Sequence, residues 1–135
     1  MKGQSLFEVV FAVGIAGLVL IALVSLSSTS VGNSTSAKNN ALATKFAQEG
    51  SEYVRQQRDT SWDNFYAENG SAKNLGTLSW PPAGSCNITA NTLFCRTVTL
   101  TSVSADEVSS LVSVSWNDAQ GDHQVRSATT LTKWK

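Results

Sequence analysis

The stretch LFEVVFAVGIAGLVLIALVSL, Leu6 to Leu26, decides how the rest of the chain is read. As a helix rising about 1.5 Å per residue it spans about 30 Å, the thickness of a bilayer hydrocarbon core. No charged residue lies between Glu8 and Lys38. Lys2 precedes the stretch, so the positive-inside rule puts the N-terminus in the cytoplasm and everything after Leu26 outside. A cleavable secretory signal also couples a basic start to an apolar run. Here the basic region is only Met1 and Lys2, the run is longer than a signal core, and the polar SLSSTSVGNSTSAKNN that follows has no Ala-x-Ala pattern.

Glu8 is the odd residue, because an ionisable group inside a membrane segment is costly and marks function by default. A plainer reading seats it among headgroups, where a first-turn carboxylate also suits the positive end of the helix dipole. Its context is Lys2-Gly3-Gln4-Ser5-Leu6-Phe7-Glu8-Val9-Val10. This segment resembles the processing site of type IV prepilins and pseudopilins: a basic leader ending in Gly, then an apolar run with Glu at the fifth residue after the cut. The resemblance implies that a prepilin peptidase cuts between Gly3 and Gln4 and methylates the freed amine of Gln4. It further implies that Glu8 meets that amine on a neighbouring subunit during filament assembly. The chain departs from the common pattern in starting the mature protein with Gln, in its three-residue leader, and in lacking a proline midway along the helix. Gly14 and Gly17 are then the candidates for bending or close helix packing. Ala47-Gln48-Glu49-Gly50-Ser51-Glu52, with Val54-Arg55 and Arg58-Asp59, also resembles the helix end of pilin-like proteins.

The averages over the chain conceal two unlike parts. Ten basic and ten acidic residues in 135 give a net charge of zero, so there is no bulk basic field for nucleic acid or an anionic membrane. Binding of that kind would need a local patch, for which Lys73, Arg96, Arg126, Lys133 and Lys135 are the candidates. The two cysteines, Cys86 and Cys95, lie close together among turn formers (Pro81, Pro82, Gly84, Ser85, Asn87), which reads as a local disulfide in an oxidising compartment. His123, the only histidine, is too little to complete a structural zinc site with them.

Beyond the apolar stretch, Ala37 to Asp59 keeps helical spacing, with Leu42, Ala43, Phe46, Ala47, Gly50, Tyr53 and Val54 near one face. From Leu6 to Asp59 a single helix would run about 80 Å, although Ser27 to Asn40 is poor in helix formers. Residues 60–92 read as a loop-rich connection. The period then becomes two. Phe94, Val98 and Leu100 alternate with Thr97, Thr99 and Thr101; Val112, Val114 and Trp116 alternate with Ser113 and Ser115; and Val125 opens a run to Leu131. Asn117 to Asp122 is a turn. Helix followed by strands is the α+β pattern. In the pilin architecture that the resemblance implies, the long helix packs on an antiparallel sheet of about three to four strands.

The expected organisation is thus a leader (1–3), a membrane or filament-core segment (4–26) and an extracytoplasmic domain (27–135) made of an amphipathic helix (37–59), a loop region (60–92) and a sheet (93–135). No phosphate loop, nucleophile motif or metal or cofactor signature is present, and no enzyme is expected. His123 reads as a solvated turn residue, and Trp62, Trp80, Trp116 and Trp134 read as core or packing residues. The resemblance implies a structural pilin, held in the cytoplasmic membrane as a precursor and placed on the cell surface when assembled. Its partners would be other pilin subunits, the prepilin peptidase and the pilus assembly machinery. Set beside it are a secretion-system pseudopilin, a DNA- or surface-binding minor pilin, and an uncleaved, signal-anchored binding domain.

Overall fold

The computed structural model describes residues 3–89 and 91–134, side chains of residues 3–5 excepted. Helix α1, Gly3–Thr60, is uninterrupted. The stretch Ser27 to Asn40, poor in helix formers, stays helical, and two threonine hydroxyls in and beside it bond back to the helix. Thr29 Oγ1 donates to Ser25 O at 3.1 Å and, just beyond, Thr44 Oγ1 donates to Asn40 O at 2.9 Å. A hydroxyl bonded back to the i−4 carbonyl no longer competes for the helix's own donors. The chain falls into two units, one up to Lys38 and one from Asn39 onward.

In the second unit α1 supplies one wall of the core. Ala43, Phe46, Ala47 and Val54 are buried there together with Gly50, at the three- and four-residue intervals that keep one helix face inward. Facing them is a five-stranded antiparallel sheet built from β1 (Lys73–Asn74), β2 (Asn87–Ile88), β3 (Asn91–Ser104), β4 (Glu107–Asp118) and β5 (Gly121–Thr132). β1 and β2 both pair with β3, which pairs with β4, which pairs with β5. The three long strands are those the period-two alternation predicts. The two short ones lie inside the expected loop region, where a pair of residues is too brief to show any period.

The core has two centres. One gathers Val54, Phe65, Leu75, Val98, Leu100, Val108, Val112 and Leu131; the other gathers Ala43, Phe46, Ala47, Ile88, Phe94, Val114 and Trp116. In the second, Phe94 meets Phe46 edge-on with centroids 5.3 Å apart and lies 5.6 Å from Trp116. Phe65 comes from α2, Trp62–Ala67, a short helix started by Ser61, whose side chain accepts the Asn64 N–H. That capping hydrogen bond is what Ser contributes at a helix start. Phe65 belongs to the first centre, on which Trp62 and Trp80 also pack, with Trp80 stacked 5.8 Å from Phe65.

Trp134 departs from the expected role for tryptophan. It is 72 % exposed, with its ring under the Arg58 guanidinium at 4.9 Å and its indole N–H donating to Asp59 Oδ1 at 3.0 Å. Arg58 also donates to Asp59 at 2.7 Å and to Thr132 O at 3.3 Å, so the end of the chain is clasped to the end of α1. The Trp134 N–H holds the Asp59 carboxyl below the usual carboxylate range against desolvation, and Arg58 adds to the lowering. A lowered folded-state pKa stabilises above the unfolded value of about 3.9 and stops doing so as pH falls through the folded value. Trp134→Phe keeps the stacked face and removes the donor. Asp59 should then titrate at a higher pH in a carboxyl NMR titration; an unchanged midpoint would refute the role given to the indole.

Candidate functional site

The first candidate is the apolar part of α1. Along it Leu6, Phe7, Val9, Val10, Phe11, Val13, Ile15, Leu18, Val19, Leu20 and Ile21 are all at least half exposed, and no residue of its most apolar window is buried. A soluble helix covers one stripe of such residues; this one covers none, and it is long and apolar enough to cross a membrane. Phe7 and Phe11, one turn apart, stack with centroids 6.4 Å apart. Glu8 lies between them in sequence, exposed. Of the sites expected near the start of the chain, Met1 and Lys2 of the leader lie outside the described residues. Gly3 and Gln4 are described only as the first backbone positions of α1.

The cysteines are joined. Cys86 and Cys95 form a disulfide with their Cα atoms 4.7 Å apart. It clips the segment around β2 onto β3, where Asn87 pairs with Cys95 across an irregular register.

Of the cationic residues singled out as a possible patch, Lys73, Arg96 and Arg126 do not converge. Lys73 sits on β1, at the opposite edge of the sheet from β5 and Arg126, and is paired with Glu68 at 2.5 Å. Lys135 lies outside the described residues. Arg96 is 1 % exposed and faces the helix. Its guanidinium donates from Nε to Leu75 O at 2.9 Å, from Nη1 to Phe46 O at 2.9 Å and from Nη2 to Gly76 O at 3.4 Å, with Glu49 Oε2 at 3.8 Å. Burial pushes its pKa down and the Glu49 carboxylate works against that. Arg96 thus ties α1 to the loop after β1 and is unavailable to a ligand. The signal for this was present in the sequence: Arg96 is in phase with Phe94, Val98 and Leu100, the core face of β3.

His123 is less solvated than its turn position suggests. Its ring stacks on Trp116 with centroids 5.2 Å apart, and Nε2 lies 2.9 Å from Asp118 Oδ1. Burial pushes the Asp118 carboxyl up, but hydrogen bonds from the Gln120 backbone N–H, His123 and the Trp116 indole outweigh it and leave the pKa lowered. These contacts brace the β4–β5 turn. Among the described residues no group of three or more His, Cys, Asp or Glu side chains is placed to hold a metal ion. Comparison with protein families, curated proteins and solved structures finds no match to this chain.

Proposed function

We propose that the chain is a structural subunit of a type IV pilus or related filament, assembled through the apolar part of α1 after removal of residues 1–3. One observation carries the reading. A single unbroken helix, Gly3–Thr60, is apolar and uncovered from Leu6 to Leu26 apart from Glu8 and becomes a wall of the folded core after Asn39. A segment that served only as a signal or a tether has no need to continue into the core. An apolar helix of this kind leaves a bilayer only for another apolar setting, and a bundle of like helices supplies one. Inside such a bundle Glu8 is a buried charge that needs a cation. Cutting after Gly3 creates that cation at Gln4 and removes Lys2. The disulfide suits an oxidising, extracytoplasmic location for the domain.

Intact mass of the protein from native membranes and from sheared surface material, measured with and without reductant, tests the reading. The expected mass lacks Met1 to Gly3, with or without one methyl group on Gln4, and carries one disulfide. A full-length N-terminus in surface material would overturn the proposal in favour of an anchored binding domain. Glu8→Val should still be cut and oxidised, yet yield at least about a hundredfold less filament, because it leaves the Gln4 amine a buried charge without a partner, at a cost of about 3 to 5 kcal/mol.

A further inference from the structure

β5 ends the sheet, and the direction in which its backbone points can be traced from the far side. Arg96 donates its N–H to Cys86 O at 2.7 Å and accepts the Leu75 N–H at 2.9 Å. β3 therefore turns Arg96 toward β1 and β2 and turns its neighbours Cys95 and Thr97 toward β4. Through the registers Cys95↔Ser115 and Val114↔Val125, the same alternation aims the N–H and C=O of Val125, Ser127 and Thr129 at β4. Those of Asp122, Gln124, Arg126, Ala128 and Thr130 point away from the sheet, and the side chains of these residues are exposed. Among the described residues the outward row has one partner, Arg58, which caps Thr132 O at 3.3 Å.

Soluble proteins protect such an edge with proline, charged side chains, a bulge or a very short strand. β5 runs for twelve residues in unbroken register without proline, and its two charged residues at pH 7, Asp122 and Arg126, are of opposite sign. The core is also incompletely covered along this margin. Val125, Ser127 and Thr129 are half-buried, while their β4 partners Val114, Val112 and Ser110 are buried.

We propose that this edge docks the β5 strand of a second copy of the chain, antiparallel and centred on Gln124. Charge selects both the occupant and the register. A two-fold axis at Gln124 sets Asp122 of each copy opposite Arg126 of the other, and His123 opposite Val125, which extends the cover over the open margin. A centre at Arg126 would oppose two like charges, and Arg58 closes the Thr132 end to longer pairing. A net charge of zero leaves no bulk repulsion between copies. The inference concerns only residues from Asn39 onward and does not depend on the filament reading.

The test uses the full chain in detergent micelles, carrying Gln124→Cys or Thr130→Cys, under mild oxidation with dimers read on non-reducing gels. Opposed Cα atoms in such a pair lie about 5.5 Å apart, within the roughly 4.4 to 6.8 Å that a disulfide spans. Apolar helices also gather copies in micelles, so the contrast between positions is the reading. Gln124→Cys should cross-link well above Thr130→Cys, which lies beyond the partner strand in this register. Adding Arg126→Asp to Gln124→Cys should lower the yield roughly tenfold through two like-charge oppositions, and adding Asp122→Arg as well should restore it. Equal cross-linking at the two positions, or a charge swap that fails to restore it, overturns the proposal.

Discussion

Arg96→Ala is expected to lower the melting temperature of the domain by at least about 12 °C, from a loss of about 3 to 5 kcal/mol in a domain of this size. Two effects add. The side chain is among the largest fully buried ones, so its removal leaves a void. It also strips donors from the carbonyls of Leu75 and Gly76, which lie outside any helix, and a buried acceptor left without a partner costs about 1 to 3 kcal/mol. Lysine does not repair this, because a single ammonium cannot reproduce a planar fork spread over three acceptors. Glu49→Gln separates the carbonyls from the carboxylate. The pair is long at 3.8 Å and the Glu49 side chain is 43 % exposed, so its loss should cost under about 1 kcal/mol. Thermal unfolding of the three variants in detergent would decide the matter; a Glu49→Gln effect as large as that of Arg96→Ala would show that the ion pair, not the carbonyl cluster, holds the residue.

Gly76→Ala should be nearly as damaging, about 3 kcal/mol, at the upper end of what overpacking costs. A Cβ at this position would stand 2.3 Å from Asn87 O, 2.5 Å from Ser85 O and 2.7 Å from the Cys86 carbonyl carbon. All three are backbone atoms next to the disulfide, so no side-chain rotation relieves the contact. Gly84→Ala is the control. Gly84 has φ of +82° and open space around the added carbon, so only left-handed strain of about 1 to 2 kcal/mol is expected. Urea unfolding would rank the two; a Gly76→Ala loss no larger than that of Gly84→Ala would refute close approach as the reason for glycine at position 76.

The long strands were legible because β3 and β4 bury every second residue, and such alternation survives in composition. Arg96 interrupted the pattern on paper while obeying it in space, because a residue's phase along a strand fixes its face whether or not its side chain is apolar. α2 was missed within the expected loop region, although Ser61 followed by Asp63 in the first turn is a helix-start signal. β1 and β2 were not, since their positions depend on β3 being present to pair with. The unbroken helix through Ser27 to Asn40 went against local propensity, as flanking turns can carry weak formers. Of the candidate site, the apolar run and the isolated Glu8 are wholly sequence features. The open β5 edge is a property of strand order, which no local pattern encodes.

The order of contacts along the chain bears on how the domain comes together in time. β3, β4 and β5 are joined by tight turns, so each pairs with the strand just made, whereas the Arg96 guanidinium reaches Phe46 across 50 residues. Local pairings form early, and distant ones wait on loop closure. The meander should therefore assemble before α1 is laid across it, with desolvation of Arg96 among the last events. Substitutions within the β3–β4 and β4–β5 hairpins would then chiefly slow folding, while those at the Arg96 latch would chiefly speed unfolding. A newly made copy would thus pass through a stage in which the sheet is complete but the helix face that covers it is still free.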